Sequence, residues 1–301
     1  MTSDLQAAIF ESHQKLGRIG QSYAIWLEPP PVWETIPALE LLAQERITDQ
    51  FERSIKSWTE DPKEEDIRAA ASRFMRRYLG CVQAPTIVAL ANGVAWDLTL
   101  ERISIVWRAD LPLGSVIDIR GLEAFTTPER PTSWPIKGTM VPTLEDLRVR
   151  ALTPLFGDVH LRSFERVLAS VRVSARLLWS QAAEDIDYYY DYALELLHGE
   201  ELARYASDRE RILFSDTLPG IEGPNPMKEL LAWDDFRDDP RFPPRLLQVR
   251  NVCCFNYVIP GRPEKYCRTC GLLSQEERRE KWLKYVTSNE TATSVPWPPL
   301  G

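Results

Sequence analysis

The sequence is poor in the residues and motifs that many enzymes use for catalysis. It has only three histidines, His13, His160 and His198, and no two of them stand at HxH or HxxxH spacing. A histidine metal site or a histidine-based triad is therefore unsupported. No Walker A loop and no GxGxxG motif occurs, which argues against direct binding of a nucleotide. Oxidation of NAD(P)H would accordingly need a separate donor protein.

Long apolar runs and an excess of basic residues are missing as well. No stretch approaches the roughly 18 consecutive apolar residues of a transmembrane helix, and Asp4 and Glu11 stand where a signal peptide would be basic or apolar. The net charge of −8 argues against broad nucleic-acid binding. We expect a cytoplasmic protein with no transmembrane segment and no nucleic-acid partner. Peripheral contact with the inner face of the cytoplasmic membrane stays open.

Apolar residues at helical spacing predict helices over most of the chain. A charged helix over residues 64–79 is expected to end at Gly80, and a short helix is expected to start at Pro85. Asp158 and Ser174 are predicted N-caps, and Ser274 with Glu277 fits a capping box. The other helices are predicted at residues 4–16, 37–57, 143–152, 158–171, 174–197, 227–233 and 275–286.

The period of the apolar residues changes near residue 94. Residues 94–100 and 103–109 alternate as strands do, and a turn at Leu113-Gly114 is expected to lead into a third strand that runs through Ile119. Together they predict a small antiparallel sheet around residues 94–120. Three prolines, at 128, 131 and 135, predict a loop over residues 126–137.

Four of the five cysteines lie within eighteen positions near the C-terminus, as Cys253, Cys254, Cys267 and Cys270. In a reducing compartment, clustered cysteines indicate metal binding or redox chemistry more than structural disulfides. Thiolates are soft ligands that suit zinc, copper(I) and iron–sulfur clusters. These four residues therefore predict a metal centre.

The adjacent pair Cys253-Cys254 favours a 2Fe–2S cluster over zinc. Neighbouring side chains in an extended segment leave on opposite sides, so both sulfurs reach one small ion only if the backbone is strained. A 2Fe–2S cluster distributes its ligands over two irons, whereas zinc sites normally space paired ligands by about two to four residues. Structural zinc, a vicinal disulfide, and a redox dithiol at Cys267 and Cys270 remain alternatives. Cys81 is expected to be a small buried apolar residue.

The cysteine motif resembles the C-terminal signature of the ferric-siderophore reductases, the FhuF-like family. The resemblance rests on the run Cys-Cys-Phe-Asn-Tyr-Val-Ile-Pro at 253–260, followed by Cys-x-x-Cys at 267–270. Weaker similarity lies in Arg-Leu-Leu-Trp-Ser-Gln-Ala-Ala at 176–183 and in Asn-Pro-Met at 225–227. The twelve residues between the two cysteine pairs make a longer gap than the family pattern has. Gln181 stands where an asparagine is frequent.

The resemblance implies a 2Fe–2S cluster on Cys253, Cys254, Cys267 and Cys270. It implies an oxidoreductase that passes one electron to a Fe(III)-siderophore, with a hydroxamate expected, and releases Fe(II) in the cytoplasm. The implied electron donor is a ferredoxin or a ferredoxin-reductase-like protein. Two other functions are compatible with the sequence: an iron–sulfur electron carrier without its own substrate site, and a zinc-stapled binding protein.

Basic residues gather around the cysteines. From Arg245 to Tyr285, nine basic and four acidic residues leave a net charge of +5 inside a chain of net −8. A positive field beside a redox centre favours an acidic partner. We predict a docking surface at Arg262, Lys265 and Arg268. The basic residues at 278–284 are equally well explained as the solvated face of a helix.

These observations predict an α+β fold that is predominantly helical, with the small sheet and a C-terminal iron–sulfur segment. We divide the chain into an N-terminal α+β portion (1–125), a helical portion of the substrate-binding body (126–246), a C-terminal 2Fe–2S segment (247–287) and a tail (288–301).

Overall fold

The computed structural model describes residues 2–16, 23–108, 111–242, 246–259 and 266–292. The predominantly helical α+β fold is confirmed. None of the helices in these ranges combines the length and apolarity that a membrane-crossing helix requires. The helices are α1 (Thr2–Gln14), α2 (Ala38–Leu41), α3 (Gln44–Lys56), α4 (Glu64–Ala91), α5 (Leu144–Pro154), α6 (Leu161–Ser170), α7 (Ala175–Leu196), α8 (Gly199–Leu213) and α9 (Gln275–Ala292).

Two sheets replace the single sheet predicted around residues 94–120. In the larger sheet the order is β1-β5-β4-β2, with β1 parallel to β5 and the other pairs antiparallel. β4 and β5 pair antiparallel as predicted. The prediction that β3 shares their sheet is wrong, because β3 pairs antiparallel with β6 in the second sheet. Strands β1 and β2 are too short to show alternation in the sequence. The strands are β1 (Ala24–Trp26), β2 (Glu34–Pro37), β3 (Val94–Trp96), β4 (Ile103–Arg108), β5 (Leu111–Ile117), β6 (Ala124–Thr126) and β7 (Thr139–Met140).

Helix α4 runs without interruption through Gly80 and Pro85, so the predicted end at Gly80 and the predicted start at Pro85 are wrong. Gly80 allows close packing, because a Cβ there would lie 2.3 Å from ring atoms of Tyr23. Its carbonyl also accepts a hydrogen bond from the Tyr189 hydroxyl at 3.2 Å. Pro85 removes one helical hydrogen bond, at a cost of about 3 kcal/mol. This half of α4 is buried throughout, and its packing offsets that cost.

The two helices predicted between residues 143 and 171 form one continuous rod. α5 passes into the π-helical segment Leu155–His160, which passes into α6. Asp158 lies inside this rod, so the predicted N-cap role is wrong. Its carboxylate instead accepts hydrogen bonds from the Leu100 backbone N–H at 2.8 Å and from the Arg162 guanidinium at 2.9 Å. Asp158 therefore ties the rod to the turn that precedes β4.

Two other predicted helix starts have the caps expected of them. The Ser174 hydroxyl accepts a hydrogen bond from the Leu177 N–H at 3.2 Å. Ser274 and Glu277 form a reciprocal capping box, with the Ser274 N–H donating to the Glu277 carboxylate at 2.7 Å and the Glu277 N–H donating to the Ser274 hydroxyl at 3.3 Å. α7 and α9 therefore begin where short-range sequence signals place them.

The short helix predicted at residues 227–233 is wrong. Residues Leu231–Asp234 form strand β8, which pairs antiparallel with β9 (Leu247–Arg250). Met227 lies in a turn instead, where the side-chain oxygen of Asn225 accepts its N–H at 3.0 Å. The β8–β9 ladder matters for function because β9 leads directly into the first two cysteines.

The apolar core consists of one large cluster and one small one. The large cluster draws on buried side chains from Leu5 to Leu231. The small one contains Phe236, Phe242, Leu247 and Trp282 and joins β9 to α9. None of the four C-terminal cysteines belongs to either cluster. The predicted division at residues 125, 246 and 287 stays a prediction.

Candidate metal centre

The two cysteine pairs are brought together by the backbone around Arg250, the last residue of β9. The Arg250 N–H donates to the carbonyl of Thr269 at 2.9 Å. The Arg250 carbonyl packs against Gly271 so closely that a Cβ at position 271 would lie 2.1 Å from the carbonyl oxygen. Arg250 thus holds the segment that carries Cys267 and Cys270 beside the segment that carries the adjacent pair.

The chain reverses immediately after the adjacent pair. Phe255 adopts a left-handed backbone conformation with φ of 56°, which costs a non-glycine residue about 1–2 kcal/mol. Contacts with α4 hold it there, since the Arg68 guanidinium lies 5.6 Å from the centre of the Phe255 ring. The turn lets the Phe255 N–H donate to the Cys253 sulfur at 3.4 Å. The backbone conformation therefore aims an N–H at a sulfur.

One thiol, that of Cys267, contacts two of the other three. The Cys267 thiol is hydrogen-bonded to those of Cys254 and Cys270, which lowers the pKa of Cys267 and raises the pKa of both partners. Backbone N–H groups of Asn256 and Leu272 donate to Cys254 and Cys270. Cys253, Cys254 and Cys267 are half-buried, and Cys270 is buried. The group is therefore partly open to a molecule at the surface.

These contacts are pairwise rather than centred on one point. In the described ranges, no three His, Cys, Asp or Glu side chains are arranged as ligands of a single metal ion. The prediction that Cys253, Cys254, Cys267 and Cys270 ligate a cluster stays a prediction. Cys81 is fully buried in α4, and burial raises the pKa of its thiol well above the ordinary value.

A buried network of charges lies behind the cysteine segments. The Arg250 guanidinium donates to Glu184 of α7, and Arg76 of α4 binds the same carboxylate at 3.2 Å. Arg76 also lies 3.8 Å from Asp185 and over the ring of Tyr188. Glu184 is fully buried, and Arg250 is 4% exposed. The network therefore links both long helices to the end of β9.

The network changes the pKa of its members in opposite ways. Burial alone would lower the pKa of Arg250, but Glu184, with help from Cys254 and Cys267, raises it above the ordinary value. Burial raises the pKa of Asp185 well above its ordinary value despite the nearby Arg76. Arg250 therefore stays charged, while Asp185 is driven towards its neutral form.

Sequence reasoning missed this network. A signal was present: Glu184 and Asp185 interrupt the apolar stripe of α7 at positions that face inward with Ala183 and Ile186. Acidic side chains on a buried helix face need cationic partners. What the sequence did not reveal is which arginines supply them, because Arg76 and Arg250 are distant in the chain.

The predicted docking surface is described only in part. Arg262 and Lys265 lie outside the described residues. The Arg268 guanidinium lies 4.6 Å from the ring centre of Trp282 in α9. The role of all three in docking stays a prediction.

Arg278 and Arg279 of α9 bind carboxylates of the protein, so they are not simply part of a solvated helix face. Arg278 binds Asp234 through two hydrogen bonds, at 2.6 and 2.9 Å, and Arg279 binds Asp239 at 2.7 Å. The hydrogen bonds to Asp234 also raise the pKa of Arg278. These contacts fasten α9 to β8 and to the turn that follows it.

A cleft of about 320 Å³ opens beside the cysteines. Its polar lining includes Cys253, Asn251 and the Arg278–Asp234 pair. Leu272, which is 59% exposed, stands at its surface. The apolar remainder of the lining is Ala232, Val249 and Val252. The cleft surface is thus partly polar and partly apolar, and it includes Cys253, one of the predicted ligands.

The main body of the chain, before the cysteines, is similar to known proteins. A family model described as ferric iron reductase FhuF-like transporter matches residues 72–235, more than half of the chain, and ends before the cysteines. No curated protein matches the sequence. One similar solved structure is the aerobactin synthetase IucC from a hypervirulent pathotype of Klebsiella pneumoniae. Its TM-score is 0.48 at 18% identity, over 67% of this chain and 37% of the synthetase. This chain therefore spans well under half of that synthetase.

Proposed function

Because this chain belongs to the FhuF-like family of ferric iron reductases, we propose that it is a ferric-siderophore reductase working through a 2Fe–2S cluster. The proposed ligands are Cys253, Cys254, Cys267 and Cys270. The observation that carries the proposal is the hydrogen bonding of the Cys267 thiol to the thiols of both Cys254 and Cys270 beside β9. The family match supports the reductase activity, and the thiols support the cofactor.

The residues fit such a cluster in donor chemistry and in hydrogen bonding. Four cysteine thiolates are the usual ligand set of a 2Fe–2S cluster, two to each iron. Each iron therefore needs only two of the four side chains. Three backbone N–H groups already donate to cysteine sulfurs, and donors of this kind tune a cluster. When bound, a 2Fe–2S cluster supplies one electron at a time, which is the number that turns Fe(III) into Fe(II).

The cleft beside Cys253 is the proposed docking place of the ferric siderophore. Arg278 pairs with Asp234 in its lining, and the guanidinium of Arg250 is buried, so the cleft surface carries no excess charge. Such a surface suits a hydroxamate chelate, whose ligand charges cancel that of Fe(III), better than a catecholate chelate, which stays anionic. Fe(II) has a lower charge density than Fe(III) and is held more weakly by the same oxygens. Reduction in the cleft would therefore release the iron.

The proposed electron donor is a ferredoxin or a ferredoxin-reductase-like protein, and the proposed site of action is the cytoplasm. The support is the net charge of +5 between Arg245 and Tyr285, which attracts an acidic partner. The half-buried cysteines support it as well, because an electron donor must come close to the centre.

The central experiment compares anaerobically purified wild type with Cys267→Ser and with Cys81→Ala as the matched control. Wild type and Cys81→Ala are expected to be reddish-brown and to contain iron and sulfide. Cys267→Ser is expected to lose the colour and keep its far-ultraviolet circular dichroism, because the large apolar cluster forms without residues 253–270. Dithionite-reduced wild type is then mixed with ferrioxamine or ferrichrome, and ferrozine is expected to trap Fe(II).

Three results would count against this assignment. Colourless wild type with stoichiometric zinc would contradict the cluster. Oxidation of the reduced protein without Fe(II) capture would indicate an electron carrier with no substrate site. Global unfolding of Cys267→Ser would contradict a body that is stable without the metal.

The docking place is tested by Leu272→Trp, which enlarges an exposed side chain at the cleft. The rate of Fe(II) release from ferrioxamine is expected to fall about tenfold, since a small displacement of a reacting pair has effects of this order or larger. Iron and sulfide content should stay at the wild-type level. Leu168→Trp, at a leucine of α6 that is 38% exposed and not part of the cleft, serves as the control. Equal rates of Fe(II) release for Leu272→Trp and Leu168→Trp would contradict the cleft as the docking place.

A further inference from the structure

Arg250 stands out among the buried charges because it is fixed at both its backbone and its side chain. Its N–H and carbonyl contact Thr269 and Gly271, on either side of Cys270. Its guanidinium is buried and donates to Glu184. The residue also lines the cleft that Cys253 reaches. A shift of Thr269 to Gly271 relative to β9 would break these contacts of Arg250.

The charges next to Arg250 do not cancel it. Two guanidinium groups, those of Arg76 and Arg250, share the single carboxylate of Glu184. Burial raises the pKa of the neighbouring Asp185 well above the ordinary value, which favours its neutral form. Other titratable groups near the pair are Tyr188, beneath Arg76, Tyr23, which acts on Arg76, the cationic Arg77, which acts on Asp185, and the cysteines themselves. The network therefore presents a net positive charge behind Cys254 and Cys267.

A positive charge in a buried place acts strongly on a redox centre. Charges interact across a protein interior with much less screening than in water. A cluster held by four thiolates is negative, and each added electron makes it more negative. A fixed cation nearby stabilises the reduced form more than the oxidised form, which raises the reduction potential. Net charge near the cluster is one of the factors that set its potential.

We infer that Arg250, held in place by Glu184 and Arg76, is a positioning residue that raises the reduction potential of the cluster. The inference rests on the proposed function, because it requires a cluster on the four cysteines. The guanidinium of Arg250 is buried, and it acts through its charge on the cysteine segments. A purely structural Arg250 would hold the segments together without any dependence of the potential on the charge of Glu184.

The test measures midpoint potentials by optical redox titration, after iron and sulfide content have been determined for each protein. Arg250→Met is expected to make reduction at least tenfold less favourable, a shift of about 59 mV to lower potential for a one-electron couple. Glu184→Gln removes the compensating negative charge and is expected to shift the potential upward. Arg250→Lys keeps the charge and should stay near wild type. Arg120→Met, at a side chain that is 89% exposed, controls for the change in net charge.

The outcomes separate this inference from the proposed function. A wild type without iron and sulfide overturns both. An intact cluster whose potential is the same in wild type and Arg250→Met overturns the inference alone. Shifts of the same sign in Arg250→Met and Glu184→Gln overturn it too, because they indicate general distortion. If Arg250→Met does not hold the cluster, Glu184→Gln decides: an upward shift supports the inference, and an unchanged potential contradicts it.

Discussion

Replacing Asp208 by alanine is expected to lower the free energy of unfolding by about 3–5 kcal/mol, the cost of removing one partner from a buried ion pair. Asp208 lies on α8 and is 1% exposed. Its carboxylate binds Arg130 through two hydrogen bonds, at 2.5 and 3.1 Å, and Arg148 at 3.0 Å. Alanine would leave two guanidinium groups facing an apolar gap.

The effect is large because Arg130 joins several parts of the fold. Besides Asp208, its guanidinium donates to the Leu90 carbonyl at the end of α4, at 2.9 Å. The Arg130 backbone carbonyl packs against Gly93, where a Cβ would lie 2.2 Å away. Loss of Asp208 therefore loosens the loop after β6, the end of α4 and α8 together.

The prediction is checked by urea unfolding at neutral pH, with Glu52→Ala as the control. Glu52 forms an exposed ion pair with Lys56 at 3.2 Å, and such pairs contribute about 1 kcal/mol or less. Asp208→Asn should fall between alanine and wild type, because an amide oxygen still accepts hydrogen bonds. A loss below about 1 kcal/mol for Asp208→Ala would show that the surroundings relax around the arginines, which contradicts the prediction.

Acidification from pH 7 to pH 4 is expected to remove about 3 kcal/mol of stability through His160 alone. Burial lowers the pKa of His160 to about 4, from 6.5 for an ordinary histidine, and one pKa unit corresponds to about 1.4 kcal/mol. The Nδ1–H donates to the Leu155 carbonyl at 2.7 Å, so Nε2 accepts from the Gln83 amide at 2.8 Å. A second ring proton would meet the Gln83 N–H.

The sign follows from which state binds the proton. Between pH 6.5 and about 4 the unfolded chain protonates His160 and the folded chain does not, so falling pH favours unfolding. The contribution is complete above pH 6.5 and lost as the pH approaches the folded value. Burial lowers the pKa of His13 to about 4 as well, which adds a term of the same sign.

The measurement is a series of urea unfolding curves between pH 4 and 7 for wild type and His160→Gln. The advantage of wild type over the variant should shrink by about 3 kcal/mol across this range. Taking the difference removes the contribution of Asp185 and other groups common to both proteins. His198→Gln, at an exposed histidine, serves as the control for the replacement of a histidine by glutamine. A difference that does not vary with pH would show that the folded and the unfolded chain protonate His160 alike, which contradicts the prediction.

Short-range signals in the sequence were enough for some elements and misleading for others. The caps at Ser174 and Ser274 depend on neighbours three residues away, and both are present. Gly80 predicted the end of one helix and Pro85 the start of another, because both residues are unfavourable in a helix interior. The packing of Tyr23 against Gly80 outweighs that preference. These two residues are more than fifty positions apart, so no local pattern predicts their contact.

Only part of the candidate site could be predicted from the sequence. The four cysteines and their spacing were visible in the sequence, since the identity and order of residues are properties of the sequence itself. The β8–β9 ladder was not predicted, because two four-residue strands show no clear alternation. That ladder carries Arg250 to Glu184, and with it a buried positive charge to the cysteines.

The sequence by itself thus determined the helical character of the chain, the soft-ligand chemistry of its C-terminus and the resemblance to the ferric-siderophore reductases. Only the tertiary structure decided which charges surround the thiols. The arginines and the glutamate of that network come from α4, α7 and β9. A buried charge needs a partner from wherever the fold supplies one, so that pairing emerges only when distant segments pack together.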